Sequence, residues 1–106
     1  MEEKRIISPT IGRKVWYWPS DHDRHIGLTY VPYHNAIQAH DLTQPCDATV
    51  VYVHGDRMVN LQIIDHNGNA HIRTSVPLVQ PDDEKSAQRG YAEWMPFQVG
   101  QAKAST

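Results

Sequence analysis

The chain has 106 residues, 40% of them apolar and 21% charged, with a formal net charge of −2. That fits one globular domain with a single core rather than a disordered or fibrous chain. The mildly negative balance argues against a nucleic-acid module, the single Cys46 excludes an internal disulfide, and no apolar run reaches the ~18 residues of a membrane span.

Residues 1–10 are charged, then turn-like at Ser8-Pro9-Thr10, and read as loosely held, with no apolar stretch of the signal-peptide kind. Ile11–Trp18 is β-branched and aromatic, and Pro19 stops it, which predicts the first strand. Alternation puts Ile11, Val15 and Tyr17 on one side, and Lys14, Trp16 and Trp18 on the other. Either set fits the core. Burying the first turns two tryptophans outward; burying the second exposes Tyr17, and indoles are usually mostly buried.

Residues 19–45 have no sustained period, and a loop of that length inside a compact domain is often functional. Leu28–Tyr33 fits a short edge strand, where Pro32 is tolerated. Tyr33–Leu42 fits one or two helical turns with Ile37 and Leu42 inward. Asp21, His22, Asp23 and His25, with His34, His40 and Asp41 nearby, are residue types that ligate transition metals. Their spacing matches no ligand framework and no cysteine pair accompanies them, so neither a metal nor a cofactor is assigned.

The central stretch, Cys46–Leu78, reads as three antiparallel strands. Asn67-Gly68 is the pair favoured by a two-residue type I′ turn, in which both positions need φ > 0. Folding there sets Ile63 opposite Ile72, Gln62 opposite Arg73 and Val59 opposite Val76. A first hairpin folded at Gly55-Asp56 sets Tyr52 opposite Val59, Val50 opposite Leu61 and Ala48 opposite Ile63. Directly opposed side chains share a face. Both hairpins therefore give one inward set: Ala48, Val50, Tyr52, Val59, Leu61, Ile63, Ile72, Thr74 and Val76. The other face carries Thr49, Asn60, Gln62, His71, Arg73 and Ser75, with Val51, Val53, Met58 and Ile64 in need of a cover. A slip of one residue would exchange the faces.

After Leu78 the chain is polar and Pro-broken, with a short helix expected at Asp82–Gln88. Tyr91–Met95 reads as a closing strand, and the tail from Gln98 as loose. The expected fold is mainly β: a small SH3-like antiparallel barrel of about five strands in a single domain, with a long loop after the first strand.

No reacting constellation can be assembled. Cys46 and His54 fall at opposite ends of one strand, roughly 26 Å apart at ~3.3 Å per residue. A buried structural thiol is the better reading of Cys46. There is no Gly-rich phosphate loop and no nucleophile elbow. No catalytic residue is assigned, and a non-enzyme is expected. The aromatics are more informative. Trp16, Trp18, Tyr30, Tyr33 and Trp94, with Phe97, come from the first strand, the long loop and the last strand, which lie side by side in a small barrel. Their rings supply rigid contact area and stack on a nucleobase or a proline. Asn60, Gln62 and Arg73 form a second, polar candidate, with Arg73 suited to a carboxylate or phosphate.

The segments PTIGRKVWYWP, ATVVYVHGDRMVNLQIID, TSVPLV and EWMPFQ resemble a group of small uncharacterised proteins encoded by tailed bacteriophages and prophages. The matching pieces here are Pro9–Tyr17, Ala48–Leu61, Thr74–Val76 and Trp94–Pro96; residues 20–44 depart from the group. The resemblance implies a phage accessory protein of compact β fold with no enzyme activity. It would act in the host cytoplasm on a host protein or a small nucleotide-like ligand, as a monomer or homo-oligomer. The alternatives are a minor virion decoration protein and a nucleic-acid-binding barrel using Arg5, Arg13, Lys14, Arg57 and Arg73, whose affinity would fall steeply with salt.

Overall fold

The computed structural model describes residues 4–25, 36–85 and 88–104. Its elements are β1 (Lys14–Trp18), β2 (Cys46–Gly55), β3 (Met58–Ile64), β4 (Ala70–Val79), β5 (Tyr91–Glu93) and α1 (Pro96–Ala104). The five strands close into a barrel in sequence order, with β5 pairing back onto β1. The expected small SH3-like barrel is therefore present. It is mixed rather than purely antiparallel, because β5 runs parallel to β4.

The first strand settles which side faces in. Val15 and Tyr17 are buried and Trp16 and Trp18 are half-buried on the outside. The strand is shorter than read. Gly12, at φ +95°, turns the chain, and Ile11 is left exposed. Backbone pairing with β2 continues across the turn, as Gly12 N–H donates to Val50 O at 2.8 Å and Val50 N–H to Arg13 O at 2.9 Å. The core joins Val15 and Tyr17 to Ala48, Val50, Val59, Leu61, Ile63, Val76, Leu78, Ala92 and Trp94.

The centre of the meander pairs as expected, with Val50 opposite Leu61, Ala48 opposite Ile63 and Val59 opposite Val76. Between these points the register differs, for a local reason. Asp65, not the Asn67-Gly68 pair alone, organises the second turn. Its N–H donates to Asn69 O at 2.9 Å, and its carboxylate takes the N–H groups of Asn67 and Asn69. Gly68 sits at φ +87°. This is a three-residue loop with a left-handed glycine rather than a two-residue turn. It moves β4 by one residue, so Ile63 faces His71, Gln62 faces Ile72 and Leu61 faces Arg73. An extra residue on β4 near Ser75, at φ +53°, restores Val59 opposite Val76.

Irregularities on β2 act the same way. The first hairpin turns at Asp56-Arg57, closed by Gly55 opposite Met58, and the register shifts between Val50 and Tyr52 and again between Val53 and Gly55. Tyr52, Ile72 and Thr74, expected inside, are exposed, Tyr52 by 53% and Ile72 by 59%. Val53 instead packs on the core.

Three further expectations change. The edge strand at 28–33 lies outside the described residues. Of the turns read over 33–42, residues 36–42 are described and are not helical; Ile37 is buried but Leu42 is exposed. That segment is instead strapped to the 65–69 turn. Gln38 N–H donates to Asp65, His66 N–H to Gln38 O, and His40 N–H to His66 Nδ1 at 2.9 Å. In place of a helix at 82–88, residues 81–83 form a turn in which Asp83 caps Gln80 N–H and 84–85 are irregular. The tail, read as loose from Gln98, is helix α1. Pro96 occupies the first helical position, and the Gln98 side chain reaches back to Met95 N–H at 2.9 Å, as in half of a capping box.

Candidate functional site

Alternation along β1 places Trp16 and Trp18 side by side on the outer face, with ring centroids 6.4 Å apart and planes at 84°. β5 pairs beside them, Trp16 with Glu93 and Trp18 with Tyr91. Trp94 follows β5 directly, is buried, and donates its indole N–H to Gln80 Oε1 at 3.2 Å. Pro96 at the head of α1 and Pro81 after β4 also line this region. The result is an open groove of about 390 Å³ that all three tryptophans of the chain line. Its floor is apolar, and its charges are matched. Glu93 accepts the Trp18 indole N–H at 2.5 Å and holds Lys85 at 3.0 Å. Rings near right angles, two prolines in the lining and a few oriented polar atoms make a notch for a flat or ring-shaped group.

No family model, no curated protein and no solved structure matches this chain. The site is therefore read on its own chemistry.

Trp16, Trp18 and Trp94, named from the sequence, come together in the groove. Tyr30 and Tyr33 lie outside the described residues. Phe97 is exposed on α1. The polar candidates do not gather. Gln62 faces outward on β3 opposite Ile72. Asn60 is engaged by His54 Nε2 at 2.9 Å and by Ser75 N–H at 2.8 Å. Arg73 lies on the other side of the sheet from Gln62, because the three-residue turn sets it opposite Leu61. Its Nε–H donates to Asp23 at 2.8 Å and another guanidinium N–H to Ile72 O. Groove residues that sequence reasoning missed are Lys85, Glu93 and Gln80. Their convergence depends on the parallel β4–β5 pairing, for which no local signal exists.

The opposite kind of chemistry is found in the interior. The Tyr17 hydroxyl donates to Asp23, which also accepts Ser20 N–H and Arg73. Burial pushes the Asp23 carboxyl up, but the Tyr17 and Arg73 bonds outweigh it and hold it below its ordinary value. Asp65 behaves alike: burial raises it, and the bonds from His71 and the backbone N–H groups of Asn69, Gln38 and Asn67 pull it below. Both carboxylates are saturated with donors, which is a structural arrangement rather than a reactive one. Cys46 is 1% exposed, and burial, with Asp65 and Asp23 nearby, pushes its thiol up to about 11. Among the described residues no group of three or more His, Cys, Asp and Glu is placed to hold a metal ion, and His34 lies outside them. Among the described residues no helix is long and apolar enough to cross a membrane.

Proposed function

We propose that this protein is a non-enzymatic binding module that takes a ring-bearing group of its partner into the groove of Trp16, Trp18 and Trp94. The observation that carries the reading is the groove itself. Two half-buried indoles are held at right angles on a rigid strand, with one donating to Glu93. Keeping two large rings in partial contact with water forgoes the burial that a core position would give them. The saturated carboxylates and the masked thiol support a binding role over a catalytic one. The resemblance to phage-encoded proteins supports a partner from the bacterial host, and the partner classes are a host protein segment or a small nucleotide-like ligand.

The test compares wild type with a Trp16→Ala, Trp18→Ala double variant. Thermal shift is read against nucleotides and proline-rich peptides, and capture is read from bacterial lysate. A ligand present well above its Kd raises Tm by a few degrees in wild type and not in the variant. Equal responses in both proteins would discard the groove.

A second reading, a virion decoration protein, is favoured by the exposed Tyr52 and Ile72 on the outer sheet face. It predicts self-association and presence in purified particles, which proteomics of virions decides.

A further inference from the structure

We infer that the ligand of the tryptophan groove carries an anionic group beside its ring, and that Arg89 receives it. The inference rests on the groove reading and adds the ligand's charge. Every other described Lys and Arg side chain except Arg13 stands against a carboxylate. Arg13 lines neither the groove nor the hollow described next. Arg89 has no carboxylate among the described residues, and its guanidinium lies 4.4 Å from the centroid of the Trp18 ring. In a protein with net charge −2, a positioned cation left without a counter-ion has its charge available.

The position is built. Gly90 N–H donates to Trp18 O at 2.7 Å, and Gly90 has φ +104°. That φ is what calls for glycine; a Cβ there would make only ordinary contact with the Cβ of Ser20, at 3.4 Å. Stacking on an indole uses the face of the guanidinium and leaves its N–H edges free to grip carboxylate or phosphate oxygens. Arg89 also lines a polar hollow of about 470 Å³ with Ser20, Asp21, His22 and Gln88. Among the described residues Asp21 is the one carboxylate there. It is set 3.8 Å from Arg24, which partly offsets its repulsion of an anion. Trp18 links the two regions: it lines the groove, and its ring carries Arg89, which lines the hollow and not the groove. A flat ring in the notch and an anion at Arg89 satisfy both at once. The anion is a phosphate if the ligand is a nucleotide, and a carboxylate if it is an aromatic acid.

The full chain is titrated, with tryptophan fluorescence as readout, against ribonucleoside 5′-monophosphates and their nucleosides. Parallel titrations use indole-3-acetate, neutral indole and inorganic phosphate. The charged member of at least one ring pair binds tighter than its neutral partner by about tenfold or more, the value of one charge-assisted hydrogen bond. Which pair responds identifies phosphate or carboxylate. Arg89→Gln removes that difference between charged and neutral rings, and Arg89→Lys restores part of it. Arg89 is exposed, so these variants keep the fold. Equal affinity of charged and neutral rings, or an Arg89→Gln variant that keeps the difference, overturns the inference while the groove reading stands. No response to any ring compound, with or without a response to phosphate, overturns both.

Discussion

The side-chain oxygen of Asn60 accepts the backbone N–H of Ser75 at 2.8 Å. Ser75 lies where β4 carries its extra residue, in a left-handed conformation that serine seldom adopts. A residue added to one strand lacks its ladder partner, and Asn60 supplies one from the neighbouring strand. The same oxygen takes His54 Nε2–H from β2, where that strand has its own register shift. Asn60, weighed from the sequence as a ligand contact, pins two irregularities. Asn60→Ala lowers stability by about 1 kcal/mol, the net value of an exposed hydrogen bond. Asn60→Asp, which keeps the acceptor, loses less. Urea unfolding of the two variants checks it, and an Asn60→Ala midpoint equal to wild type would refute the pinning role.

Gln80 gives the larger effect. It is 1% exposed and uses both ends of its amide. Its oxygen accepts Ile7 N–H at 2.8 Å and the Trp94 indole N–H, and its nitrogen donates to the carbonyls of Ile7 and Asp56. One side chain thus ties the N-terminal segment, the first hairpin turn and the groove wall. Gln80→Leu conserves volume but orphans several of these groups, at about 1–3 kcal/mol for each left buried and unpaired. A total loss near 3 kcal/mol is expected by denaturation, with Trp94 emission shifting as its N–H is freed.

Tyr17 and Asp23 give a pH signature. Asp23 titrates lower in the folded chain than in the unfolded one, so its stabilising contribution is complete above about pH 4, the unfolded value. That contribution is lost as pH falls through the folded value. Tyr17→Phe deletes one hydrogen bond to this carboxylate. The cost is about 2 kcal/mol at pH 7 and shrinks towards pH 3 and below, as Asp23 protonates. Unfolding of wild type and variant at both pH values checks the sign. A gap that widens in acid would contradict it.

The parts of the fold legible in the sequence are those where alternation runs straight. Val50 against Leu61 and Ala48 against Ile63 lie away from any bulge, and their faces follow from period alone. Tyr52 and Ile72 lie past points where one backbone residue is added, and neither Val51 nor Ser75 announces that. The turn at 65–69 shows why: Asn67-Gly68 was the right place, but the Asp65 carboxylate selects the longer loop and so moves Arg73 to the other side. Helix α1 did have a written signal, Pro96 at its first position with Gln98 two residues on, overlooked beneath a polar composition. Trp16, Trp18 and Trp94 were legible as a set because β1, which carries the first two, pairs with β5, which Trp94 directly follows. Lys85, Glu93 and Gln80 join them only through the parallel strand pair, which is a long-range property.

Cys46 tests the binding reading against a catalytic one. A working nucleophile needs an accessible thiolate with its pKa near or below ambient pH. Cys46 has the reverse, a buried side chain whose pKa of about 11 is raised by burial first and by Asp65 and Asp23 after. At pH 8 the thiolate fraction is then about one in a thousand, since each unit of pKa above ambient pH is a factor of ten. The folded protein leaves a disulfide reagent such as dithionitrobenzoate unreacted over minutes, and denaturant releases the thiol at once. Cys46→Ala or Cys46→Val leaves groove binding unchanged, since the residue lies on β2 with its side chain in the core. Rapid labelling of the native chain, with protection by a groove ligand, would place the thiol in the site and reopen the case for catalysis.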